Sequence, residues 1–221
     1  MAQASGLWRQ FPHTAMTRIL VTRHGEGEHN LITNVWVGRA AQAPLTALGW
    51  EQARLLGEHL AIESPPQRII CSSIGRTVDT AREINRSIGL DAIEPDDAFW
   101  ELTKGSWEGT MPRVLPPDVQ RELDADPFGY QYPEGESYRI LWQRVAPAFD
   151  DWVARYANET ILFVLHGDVI RALLYHIIRF PEDQISDWVI DPCSISEFRK
   201  EDDGRMIIVR INDTAHLQEK R

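Results

Sequence analysis

The chain has 221 residues, 43% of them hydrophobic, and a formal net charge of −10, which suits one domain with a sizeable core. That acidity excludes nucleic acid and anionic membrane as natural partners, since neither is attracted to a like-charged surface. No apolar run approaches the ~18 residues of a membrane span, and two cysteines, Cys71 and Cys193, are too few for a disulfide framework, which points to a reducing, cytoplasmic setting.

Residues 1–17 show no periodicity and lack the apolar middle of a signal peptide, so they are read as a loose or peripheral N-terminal arm. Arg18 to Thr22 is a short buried strand that stops at Arg23-His24-Gly25-Glu26. A long polar connection follows, with Asn30 and Val37-Gly38-Arg39. Thr46 is the expected N-cap of a helix ending near Ile62, with Leu45 and Trp50 as a hydrophobic staple and Leu48, Leu55, Leu56 and Leu60 as its apolar face. Ile69-Ile70-Cys71 is a second strand. Ser72 or Ser73 is placed to cap the next helix, whose buried face is Val78, Ala81, Ile84 and Ile88 and whose stop is Gly89. Arg76 falls in its first turn, where free N–H groups and the helix dipole suit an anion; a phosphate fork and a surface salt bridge are both open for it.

A weak strand lies between Asp91 and Phe99. From about 105 to 135 the chain is rich in Pro, Gly and aromatics and reads as an irregular flap with short helical pieces, its aromatics packing it onto the body, with contact to substrate as the alternative. Ser137 to Asn158 is a long amphipathic helix that Pro147 should bend. Ile161 to Leu165 is a second buried strand ending at a histidine, His166-Gly167, followed by an apolar helix. Ile195–Arg199 and Met206–Ile211 flank Asp202-Asp203-Gly204 as a hairpin, and the tail from Asn212 is charged and loose at its end.

Ligands of open α/β sheets bind beyond the carboxyl ends of the strands, so two strand–His–Gly units would bring His24 and His166 to one edge. A neutral imidazole there can take a phosphoryl group and release an alcohol. The group in flight carries charge on its oxygens, and Arg23, Arg76 and His166 offer donors for them. The departing alkoxide needs a proton, for which Glu101 is the candidate; ionised, it can then activate the water that cleaves the phosphohistidine.

These residues fall in ordered blocks: Arg23-His24-Gly25-Glu26 with Asn30; Pro44-Leu45-Thr46 with Gly49 and Gln52-Ala53; Cys71-Ser72-Ser73 through Arg76-Thr77 and Thr80-Ala81; Glu101, Gly105 and Glu108-Gly109; Gly135-Glu136-Ser137; and His166-Gly167. The set resembles the histidine phosphatase superfamily, the phosphoglycerate mutase-like proteins, on its phosphatase side. The resemblance implies one domain over about 18–217, a three-layer α/β/α sandwich around a mostly parallel sheet, no metal or other cofactor, and a small phosphorylated substrate. It implies His24 as nucleophile, Arg23, Arg76 and His166 as phosphoryl holders, Glu101 as acid and base, and Asn30, Gly38 and Gly167 as pocket residues. Arg39 is a natural contact for a second anionic group, with a solvated Arg as the alternative. Within Met111 to Pro133 only Arg113 and Arg121 are basic, which favours hydrolysis over mutase-type transfer. A silent phospholigand-binding protein is the third reading, opposed by the presence of both His24 and Glu101.

Two rival chemistries fit less well. Four residues separate Cys71 from Arg76, one fewer than a cysteine-phosphatase loop needs. His24, Glu26 and His29 could mimic a metal cluster, but the neighbouring arginines repel a cation.

Overall fold

The structure is a computed structural model that describes residues 16–34, 36–39, 43–63, 65–110, 112 and 114–218. The expected N-terminal arm up to Ala15, together with Met111 and Arg113, lies outside the described residues.

In chain order the strands are β1 (Thr17–Arg23), β2 (Arg68–Ser72), β3 (Glu94–Asp96), β4 (Thr160–Leu165), β5 (Ile195–Lys200) and β6 (Met206–Asp213). The helices are α1 (Ala47–Glu63), α2 (Gly75–Ile88), α3 (Pro117–Ala125), α4 (Tyr138–Arg155) and α5 (Gly167–Ile178). One six-stranded sheet has the order β3-β2-β4-β1-β5-β6. Its first four strands are parallel, while β5 and β6 form the antiparallel end.

Alternation along the strands divides the core into two layers. On β4, Ile161, Phe163 and Leu165 face α4, α5 and the flap, whereas Leu162 and Val164 face α1 and α2. On β1, Ile19 and Val21 point to the first side and Leu20 to the second. Every one of these strand residues is at most 2% exposed, so the sheet is the middle layer of an α/β/α sandwich.

Several local expectations hold. Thr46 Oγ1 accepts the Gly49 N–H at 3.0 Å, and Gly89 closes α2 with φ +81°. Pro147 lies inside α4. Trp107, Leu115, Phe128 and Tyr132 anchor the flap in the core under α4 and α5.

Others are corrected. Leu48 is 53% exposed, and α1 instead buries Gly49, Ala53, Leu56, Gly57 and Leu60. Helix α1 lies close enough to the loop after β1, and to α2, that small residues replace large ones on its inner face. Trp50, the expected staple partner of buried Leu45, is 38% exposed. Neither serine caps α2: its N-cap is Ile74, with no side-chain bond. Ser72 is engaged by His166, and Ser73 by Asp97 and Trp100. The tail continues β6 to Asp213 and then forms a single turn, Ala215–Leu217, whose Leu217 packs against the α1 layer, while its end, residues 219–221, lies outside the described residues.

The loop after β1 is held by a close approach of two glycines. A Cβ on Gly25 would lie 2.3 Å from the Gly49 carbonyl oxygen, and one on Gly49 would lie 2.0 Å from that of Glu26. Replacing Gly49 by Ala should therefore lower stability by about 1–3 kcal/mol, the usual cost of overpacking, and lower turnover as well, since the displaced loop carries His24. A urea midpoint and turnover number equal to wild type would contradict this.

Candidate active site

β1 and β4 are hydrogen-bonded neighbours in register, Arg23 opposite Leu165. Each ends one residue before its histidine, and the His24 N–H bonds the Leu165 carbonyl at 2.9 Å. The rings of His24 and His166 consequently meet edge to face, 5.3 Å between centroids. Arg76 enters from the first turn of α2.

His24 is 1% exposed. Its Nδ1 lies 2.7 Å from the Gly25 carbonyl oxygen. A carbonyl can only accept, so Nδ1 carries the proton and Nε2 bears the lone pair. Arg76 Nε donates to that Nε2 at 3.3 Å. Burial first, then the charges of Arg23 and Arg76, hold His24 well below the usual imidazole pKa. The ring is a neutral base with its nucleophilic nitrogen facing a guanidinium.

His166 is fully buried, and its Nε2 lies 2.9 Å from Ser72 Oγ. Its Nδ1 is buried without a hydrogen-bond partner, as is Arg23 Nε. Unpartnered buried polar nitrogens are rare in folded proteins; of these two, the Arg23 Nε–H is a donor by its chemistry, and Arg23 lines the cavity. Arg23 is anchored through Nη1 to the Ile190 carbonyl at 2.8 Å. A cavity of about 680 Å³ opens here, lined by Arg23, His24, Arg76, Glu101 and Gly167 among others.

Glu101 accepts the Leu102 N–H at 2.9 Å. Burial and the nearby Asp168 carboxylate raise its pKa above the ordinary value, against the opposing pull of Lys104 and Arg76. It is a carboxyl group biased toward its protonated form beside a cationic pocket.

Asn30 and Gly38 also line the cavity. The Asn30 carboxamide oxygen accepts the Gly27 N–H at 2.9 Å, which fixes the turn. Arg39 does not join them. Its guanidinium bonds Glu136 at 2.9 Å and the Glu101 carbonyl at 3.0 Å and lies over the Trp100 ring. It braces the backbone of Glu101 rather than offering a charge to the cavity.

Sequence reasoning missed the opposite wall. Asp168 gathers three donors: Lys104 Nζ at 3.0 Å, Tyr138 OH at 2.6 Å and Arg171 Nη1 at 2.7 Å. Lys104 is also stacked between Trp36 and Tyr132. Only the residue-171 spacing, one helical turn from Asp168, could have been read in advance.

The rival chemistries find no geometry. Cys71 is fully buried and its thiol is pushed up to about 12, which denies it thiolate character. The Glu26 carboxylate bonds Thr46, and among the described residues no group of three or more His, Cys, Asp or Glu gathers as metal ligands.

Comparison with known proteins identifies the family. Residues 19–214 match the family model of the histidine phosphatase superfamily (branch 1). Phosphoserine phosphatase 1 of Hydrogenobacter thermophilus is 28% identical over 211 residues, covering 92% of this chain and 96% of its own. The protein named Probable phosphoglycerate mutase GpmB of Yersinia enterocolitica is 28% identical, covering 91% and 95%. Among solved structures, Bacillus stearothermophilus YhfR superposes with a TM-score of 0.75 at 27% identity, covering 91% of this chain and all of the other.

The buried imidazoles have a cost in acid. Folding lowers the pKa of His24, His166 and His29, the last to about 3. Their contribution to stability is complete above the unfolded value and is lost as pH falls below it, by at most about 1.4 kcal/mol per pH unit for each group. Urea midpoints should drop between about pH 7 and pH 5, and less steeply in His29→Asn; a flat profile would contradict the neutral assignment.

Proposed function

Because the chain belongs to branch 1 of the histidine phosphatase superfamily, we propose that it hydrolyses small phosphomonoesters through a phosphohistidine on His24. The observation that carries this is the His24 ring itself: its proton is tied to the Gly25 carbonyl, and its lone pair faces the Arg76 guanidinium.

A phosphate dianion entering the cavity draws Arg76 onto its oxygens and leaves Nε2 free to attack phosphorus. Arg23 and Arg76 balance the oxygens' charge, and His166 donates through Nδ1. Each such donor contributes on the order of 10²–10³ in rate. Glu101 protonates the leaving alkoxide as the P–O bond breaks. The resulting carboxylate removes a proton from water as it attacks the phosphohistidine, which returns inorganic phosphate and restores the acid.

Hydrolysis is favoured over transfer by the flap wall. Gln120, Leu123, Asp124, Pro127 and Tyr132 face the cavity there, and none is a cation that would retain an anionic product for a second transfer. Arg121 lies instead against the Pro117 carbonyl. The relatives' names include both a phosphatase and a mutase, so released phosphate is the discriminating product. We place the enzyme in the cytoplasm, on the support of two free, buried cysteines.

With alkyl phosphates, turnover should fall as pH rises through the elevated Glu101 pKa, because the acid form is lost. Glu101→Gln should slow alkyl esters by roughly 10²–10⁴ and nitrophenyl phosphate far less, since nitrophenolate leaves without a proton. Equal slowing of both esters would contradict the acid role.

A further inference from the structure

Gly27 and His29 flank the nucleophile and have no part in the steps above. Gly27 has extended backbone, φ −107° and ψ 158°, open to any residue, so its missing side chain answers to space. A Cβ there would lie 2.6 Å from His29 Nδ1 and 2.7 Å from its Cε1. The imidazole fills that hollow.

The ring is 8% exposed, lines the cavity, and lies 5.2 Å from the His24 ring, tilted by 53°. Asn30 locks the turn that carries it, accepting the Gly27 N–H through its side chain while its own N–H bonds the Gly27 carbonyl at 2.8 Å. Nδ1 is buried with no hydrogen-bond partner. Packing alone would favour a hydrocarbon ring here, because burying an unbonded polar nitrogen is unfavourable.

We propose that His29 is a further phosphoryl-binding residue, an imidazole that donates a hydrogen bond to the group attached to or approaching His24, with Gly27 present to seat it. The proposal rests on the phosphohistidine reading of His24. With its ring centroid 5.2 Å from that of His24 and its side chain lining the cavity, His29 is adjacent to any oxygens that His24 would carry. Burial, Arg76 and Arg23 keep the ring neutral, so it supplies one N–H and adds no charge to the two guanidiniums. None of the ordered sequence blocks assigns it this role.

The test uses full-length protein with ¹⁵N-labelled histidine, titrated with inorganic phosphate and followed by imidazole ¹⁵N–¹H correlation. The His29 signals, assigned with His29→Gln, should move with the same saturation as those of His24 and His166. In steady-state assays His29→Phe keeps the ring and removes the N–H; its inhibition constant for phosphate should rise about tenfold, the loss of one good hydrogen bond. His29→Gln should stay within about threefold of wild type by retaining a donor. Gly27→Ala, which displaces the ring, should reproduce the His29→Phe loss. Unchanged phosphate affinity in folded His29→Phe, or His29 nitrogens that stay still while those of His24 respond, would overturn the proposal. Silence of all three histidines would overturn the phosphate pocket itself, and this proposal with it.

Discussion

One hydrogen bond governs the site: His24 Nδ1 donating to the carbonyl of the next residue, at 2.7 Å. It determines which nitrogen holds the proton and, in the proposed mechanism, which one attacks. Burial and two guanidiniums do the rest by making the charged imidazolium unfavourable. In the proposed reaction, the cationic side chains that hold the phosphate thus also keep the nucleophile in its reactive form. The same logic extends to His29 and His166, so the pocket's positive charge comes from arginine and lysine side chains and not from its histidines.

The fold delivers this geometry with few parts. Parallel pairing of β1 with β4 sets two histidines side by side at the carboxyl edge of the sheet, the usual place for a ligand in such folds. Helix α2 supplies Arg76, and the loop before the flap supplies Glu101. The Gly25–Gly49 approach presses the His24 loop against α1, which limits how far the His24 ring can drift. Behind Glu101 stands a second layer. Arg39 and Arg144 both reach its backbone carbonyl, and Glu136 ties those two arginines together.

Much of this was legible in the sequence because it is local. Apolar runs that stop at His24 and His166 announce strand ends, Thr46 announces a cap, and Gly89 announces a stop. What stayed hidden depends on residues distant in the chain. Asp168 meets Lys104 across 64 positions and Tyr138 across 30, and no periodicity encodes such meetings. Arg39 looked like a free charge because Glu136, 97 residues away, cannot be seen from its neighbourhood. Ser72 looked like a helix cap because the competing partner, His166, is 94 residues off. Leu48 was misplaced on the buried face since helical spacing gives a stripe but not how closely the next element approaches.

The central claim is that tautomer and charge together direct phosphorus to one nitrogen of one ring. The direct measurement is ³¹P NMR of protein rapidly mixed with a labile phosphomonoester and quenched in alkali, followed by mapping of the modified peptide. The account predicts a phosphoramidate resonance of the Nε2-linked isomer, located on His24 and absent from His24→Ala. An Nδ1-linked adduct, or the same adduct persisting in His24→Ala, would contradict it.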